Sequence, residues 1–166
     1  MQSILENHHY IQCMAALSKP ETNILVNLND KDEEKVYNYL RDLILATDLA
    51  IHGIILKSLT ERKQILHRIW RTGKPSDLTE EDRKIVICSL LKCADLSSEI
   101  RKNEVSKRWA KAVNEEFFKQ SDKERELELP ITPFMDKHKI IMSKEEVNFI
   151  EKLCMPLYGQ LSQVPS

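Results

Sequence analysis

The stretch "LLKCADLSSEI", Leu90 to Ile100, puts a carboxylate where a helix should be apolar. Ile87 and Leu91 are four apart, and the next step of four lands on Asp95, so a row fit to face a core ends on an acid. That spacing predicts a helix, and Thr79 with Asp82 three positions later predicts its start. Downstream, Val105, Trp109, Val113 and Phe117 recur at fours and predict another helix with a wide apolar seam. Upstream, Asp30 with Glu33 resembles a capping box. Val36, Leu40, Leu43, Ile44, Thr47 and Ile51 then keep one face to about Leu59, in a helix that is long or broken once. Gln64 to Arg71 is periodic again and stops at "TGKP", with Gly73 and Pro75 as terminators. Near the end, Ser143 with Glu146 has capping-box form ahead of Val147, Ile150, Cys154 and Leu157, and Pro156 predicts a kink or end near Met155. The charged, proline-interrupted "QSDKERELELPITPFMDKHKIIM" predicts a surface connection holding at most a short helix.

Composition supports the same class. The chain has 166 residues, three glycines, 42% hydrophobic and 31% charged residues, which favours one all-α domain over residues 1–166. A net charge of −1 gives no field that would favour nucleic acid or an anionic membrane. No apolar run reaches the roughly 18 residues of a membrane span, and "MQSILENHHY" lacks the pattern of a signal peptide, so a cytoplasmic protein is expected. Cys13, Cys88, Cys93 and Cys154 show no metal or disulfide spacing and read as small core residues. Met14, Met135, Met142 and Met155 read as core filling.

Three polar features fall on faces that should be dry: Asp95, Thr47 with Asp48, and "ENHH" at Glu6 to His9. A buried carboxylate needs a cation, a basic side chain or a donor network. For Asp95, an ion pair or a helix-end cap competes with a metal. Neighbouring helical residues point about 100° apart, so His8 and His9 are expected as core or surface residues rather than joint ligands. Val113, Phe117 and Phe149 taken alone would be packing.

Read together, "ILENHH", "LILATDLAIH", "LLKCADLSSEI", "RWAKAVNEEFFKQSDKERE", "PITPFMDKHK" and "VNFIEKLCMPLY" resemble the C-terminal half of the class I cyclic-nucleotide phosphodiesterase catalytic domain, in order and over nearly the whole chain. Within that family "QSD" and "PFMDK" look closest to members preferring cyclic GMP. The resemblance implies a compact multi-helix bundle of the HD/phosphodiesterase type. It implies hydrolysis of cyclic AMP or cyclic GMP to the 5'-monophosphate by a hydroxide held between two divalent ions, zinc and magnesium or manganese. It makes Asp95 a zinc ligand and gives Glu6 and Thr47 the water molecules of the second ion. It clamps the purine between Phe149 and Val113, with Phe117 supporting them.

Two departures accompany the resemblance. The family's general-acid histidine and three zinc ligands lie N-terminal to "ENHH", and only five residues precede Glu6 here. The chain is therefore read as an N-terminally truncated portion that holds no catalytic residue of its own, and one protein ligand does not hold a catalytic zinc. Glu146 stands where the family places a Gln, and a carboxylate offers nothing to adenine N1 or guanine O6. That loss should cost on the order of 1–3 kcal/mol, unless Glu146 serves only as a capping partner of Ser143. The expected partners are a cyclic nucleotide and either a second copy of the chain or the missing half. The alternatives are a catalytically inactive relative acting as a binding module, and a helical interaction domain outside the family.

Overall fold

The computed structural model describes residues 3–72 and 78–162, all in helices, turns and loops, with no strand among them. The expected terminators Gly73 and Pro75 lie outside the described residues. Two compact units divide the chain: Met1–Lys92 with Gln160–Ser166, and Cys93–Gly159.

In the first unit α1 spans Ile4–Leu17 and α2 spans Asp30–Ala46. Asn29 caps α2, its side chain accepting from the Asp32 N–H at 3.0 Å, so the cap sits one residue before the expected Asp30. The apolar stretch does break once, at Thr47–Asp48. Asp48 Oδ1 accepts from the Ala50 N–H at 2.8 Å and caps a 3₁₀ turn over Leu49–Ile51. The chain bends by 85° there and continues as α3, His52–Thr72, which joins what the sequence divides into two periodic stretches. Helix α4, Glu80–Asp95, starts as expected. Asp82 accepts from the Thr79 N–H and hydroxyl at 3.1 and 2.6 Å, while the Asp82 N–H donates to that hydroxyl at 3.1 Å.

The buried side of α4 is not the row expected from the sequence. Asp82, Cys88, Ser89 and Lys92 are its buried residues, whereas Ile87 and Leu91 are 39% and 37% exposed and Asp95 is exposed. The interior row runs Asp82, Ile85, Ser89, Lys92, about one residue around the helix. Polar residues can line it because each is satisfied: Asp82 by Thr79, Ser89 by the Ile85 carbonyl at 2.7 Å, and Lys92 by three carbonyls. Cys88 packs with Ala46 and Ile55 in the apolar core beside it.

In the second unit a 3₁₀ turn, Leu96–Ile100, leads to α5, Asn103–Glu126. Val105, Trp109 and Val113 of its expected seam are exposed, while Phe117 meets Phe134 edge-on with ring centroids 5.9 Å apart. The proline-containing connection carries one short 3₁₀ turn, Pro133–Met135. Asp136, 2% exposed, fastens it to α5 by accepting from Arg125 Nη2 at 2.9 Å.

Helix α6 spans Met142–Phe149, begins after Ile141 and has no side-chain cap. Ser143 lies inside it, so the expected Ser143–Glu146 capping box does not form. A π-helical turn, Ile150–Cys154, follows, and then α7, Met155–Ser162. Pro156 lacks an N–H and crowds the carbonyl four residues back, and the wide π turn opens the ladder there. The helical path continues through Pro156, which sits in the first turn of α7, where its missing N–H is tolerated. Cys88 and Cys154 are buried as expected, Cys13 and Cys93 only partly, and Met142 and Met155 are exposed rather than core filling.

Candidate functional site

Asp95 is the last residue of α4, where the helix dipole is negative and a carboxylate is disfavoured. The expectation that it lies indoors is wrong: its side chain is exposed because the Ile87–Leu91–Asp95 face of α4 is turned away from the packed row. The competing readings fail as well. Among the described residues Asp95 has no ion pair, and it makes no side-chain cap bond to the turn that follows. It is an unpaired acid at the wrong end of a helix.

Asp95 lines a groove of about 450 Å³ with Ala94, Ser97, Ser98, Arg101, Trp109 and Val113, all in the second unit. The structure thus brings the expected Asp95 and Val113 to one groove. Phe117, Glu146 and Phe149 are not part of its lining. Phe117 instead stacks edge-on against Phe134. Glu146, half-buried on α6, stands near Glu99. Burial first, and the Glu146 charge second, push the Glu99 carboxyl above its ordinary range, and Glu99 Oε2 is buried with no hydrogen-bond partner among the described residues. Burial likewise pushes the Cys93 and Cys154 thiols up to about 11, so neither is poised as a nucleophile or a thiolate ligand at neutral pH.

Glu6 and Thr47 belong to the first unit. Ser3, which adopts φ 57° just ahead of α1, donates to Asp48 Oδ2 at 2.6 Å. That bond brings the first turn of α1, with Glu6, to the end of α2, with Thr47. The Thr47 hydroxyl donates to the Ile44 carbonyl at 2.8 Å, which leaves its oxygen lone pairs able to accept. The Asp48 carboxyl is held below the usual range, chiefly by the Ser3 hydroxyl and then by the Ala50 N–H. His8 and His9 are exposed on α1.

Sequence reasoning missed Arg101 and Trp109 as groove residues, and Lys92 altogether. The sequence puts Trp109 on the right seam, where an apolar stripe alone implies packing. Lys92 had a signal in the quoted stretch itself, since it lies on the same helical face as Ser89 and Asp82.

The model of the 3'5'-cyclic nucleotide phosphodiesterase family matches residues 1–166. The chain belongs to that family. Among curated relatives of this phosphodiesterase chain, the cGMP-specific 3',5'-cGMP phosphodiesterase 3 of Dictyostelium discoideum is 36% identical over 98% of the chain and 33% of its own length. The human high affinity cGMP-specific 3',5'-cyclic phosphodiesterase 9A is 32% identical over 98% of the chain and 26% of its own length. The bovine dual specificity calcium/calmodulin-dependent phosphodiesterase 1B is 32% identical over 98% and 28%. The crystal structure of the phosphodiesterase domain of the RhoPDE fusion protein from Salpingoeca rosetta superposes with a TM-score of 0.83 at 29% identity, over 98% of this chain and 50% of that one. The chain spans a third or less of the length of these curated relatives and half of that solved chain.

The phosphodiesterase family implies divalent metals. Among the described residues no three His, Cys, Asp or Glu side chains come together, so these residues do not by themselves make a metal centre.

Proposed function

We propose that the protein containing this chain hydrolyses 3',5'-cyclic nucleotides, cyclic GMP or cyclic AMP, to the 5'-monophosphate. The observation that carries the reading is the Asp95 carboxylate, without an ion pair among the described residues, on a groove that also offers an indole face and a guanidinium, in a chain matched by the phosphodiesterase family model from end to end. Trp109 and Val113 supply a wall on which a flat base can lie. Arg101 supplies a charge that attracts a phosphate, and the Ser97 hydroxyl can donate to one. Phe149 and Glu146, on α6, are the residues we assign to the purine, with Phe117 behind Val113 on α5. Glu146 has no capping role to explain it, which leaves its carboxylate free to read a base edge and to reject acceptors.

Hydrolysis of cyclic GMP and cyclic AMP, followed by release of the 5'-monophosphate, tests the reading. Asp95→Ala should lower kcat by at least about 100-fold while leaving the helical circular dichroism unchanged. Turnover by Asp95→Ala within threefold of wild type would remove Asp95 from the site. No turnover of either nucleotide by the wild-type protein would remove the hydrolase reading.

One observation favours a second reading, a non-catalytic binding module. Trp109 and Val113 of α5 are each more than a third exposed, and exposed apolar surface on a helix is where another helical element docks. Binding of a protein partner with no turnover in any form of the protein would favour it.

A further inference from the structure

Lys92 is fully buried, and its ammonium donates to three successive backbone carbonyls: Ala46 at 3.0 Å, Thr47 at 3.2 Å and Asp48 at 3.0 Å. An ammonium has three N–H bonds, so the geometry matches its whole donor capacity. These carbonyls lie at the C-terminal end of α2, where helix oxygens lack intrahelical partners and the dipole is negative. The same short segment carries the 85° bend. From its other side Asp48 receives the Ser3 hydroxyl at 2.6 Å and the Ala50 N–H at 2.8 Å. One buried cation from α4 thus fixes the carbonyls of the corner, while the carboxylate of the corner fixes the start of α1.

We infer that Lys92 is a positioning residue: by gripping the Ala46–Asp48 carbonyls it holds the Thr47 hydroxyl and, through Asp48 and Ser3, the Glu6 turn of α1 in one fixed arrangement. This rests on the reading that Thr47 and Glu6 serve the hydrolytic site. The Ala46 carbonyl is buried, so water cannot serve it and a donor from the fold must. Here the grip extends past the last helical residue to Thr47 and Asp48, the residues that turn the chain. Arginine cannot replace it, because a planar fork does not direct donors at three carbonyls clustered about one nitrogen.

Two measurements test the inference on the full protein. In Lys92→Met, amide hydrogen exchange at residues 47–51 should rise by at least about tenfold while amides of α3 between 55 and 66 keep their rates. Lys92→Arg should behave like Lys92→Met. Unchanged exchange at 47–51 in Lys92→Met would overturn the anchor. The second measurement is a double-mutant cycle on cyclic-nucleotide turnover. Lys92→Met should lower kcat about tenfold or more with KM within about threefold, and should have less than about a twofold effect in a Thr47→Ala background. A merely structural lysine would lower activity equally in both backgrounds, and that result would overturn positioning through Thr47. Wild-type turnover in Thr47→Ala would instead refute the assignment of Thr47 to the site, leaving the exchange measurement to decide the anchor.

Discussion

Replacing Asp82 by alanine tests how α4 is fixed, because that side chain closes two interactions at once. Its Oδ2 accepts the Thr79 N–H and hydroxyl, and its Oδ1 accepts Arg62 Nε at 3.0 Å from α3. The group is 6% exposed, so water replaces little of what is lost. Loss of a helix cap costs about 1 kcal/mol. Loss of a charge-assisted hydrogen bond costs about 1.5–3 kcal/mol when the partner is stranded. Arg62 is not stranded: Nη2 keeps Glu81 Oε1 at 2.6 Å and Nη1 keeps the Ser58 carbonyl at 3.3 Å. The ion-pair part therefore falls at the low end of its range, and the total is about 2–3 kcal/mol. For a chain of this size that lowers Tm by about 5–10 °C. The sign of the pH dependence follows from the Asp82 carboxyl, which is held below its usual range first by the Thr79 hydroxyl, then by the Thr79 N–H and Arg62, against burial. A depressed acid contributes stability above its unfolded pKa, about 3.9, and loses it as the pH falls through the lower folded value. Urea unfolding of wild type and Asp82→Ala at pH 7, 5 and 3.5 should show a full gap at the first two values and a narrowing one at the third. A gap below about 0.5 kcal/mol at pH 7, or one that does not narrow in acid, would refute the argument.

Two further outcomes are expected. Glu99 has the opposite sign: its carboxyl is raised by burial and by Glu146, so the folded state holds its proton more tightly and loses stability as the pH rises through the raised value. Glu99→Gln should therefore be more stable than wild type at pH 7 and equal to it below about pH 4, as read from denaturant midpoints; a wild type that is the more stable at pH 7 would contradict this. Leu91→Ala should cost less than about 1 kcal/mol in this chain, against about 2–5 for a buried leucine, because Leu91 faces solvent; thermal unfolding decides, and a larger loss would show that the α4 row is packed after all.

Local signals in the sequence were read well and rotational ones poorly. The Thr79–Asp82 start, the single break in the long apolar stretch and the short turn at Pro133–Met135 all follow from side-chain chemistry within a few residues, and all are present. The Ser143–Glu146 box has the right spelling and does not form, because α6 begins at Met142, two residues before a Ser143 cap would start it, and places Ser143 inside the helix. The orientation of α4 was the larger miss. Apolarity assigns Ile87 and Leu91 to the core, whereas the buried row includes Asp82, Ser89 and Lys92. Periodicity counts apolar residues and is blind to a polar row whose members satisfy one another. The acceptors of Lys92 lie 44 to 46 residues away, beyond the reach of any local pattern.

Asp95 is exposed at the end of α4. Burial was to explain why an acid at that position needed a cation, and burial is absent. What remains is an exposed carboxylate at the C-terminal end of a helix, without an ion pair or cap among the described residues, beside a guanidinium and an indole in one groove. Exposure makes this acid cheap to keep charged, so its position is no strain that structure alone must relieve. Its placement is then a matter of availability: among the described residues neither oxygen has a hydrogen-bond or ion-pair partner, and both can be offered to whatever enters the groove. The buried cation of α4, Lys92, sits one turn before it and is fully occupied by the carbonyls of the α2 corner. Within a single helical turn the chain has one charge committed to holding the fold and one left open for chemistry. Neutralising Lys92 should loosen the α2 corner and lower turnover through Thr47, whereas giving Asp95 a neighbouring lysine to pair with should lower turnover with the corner intact.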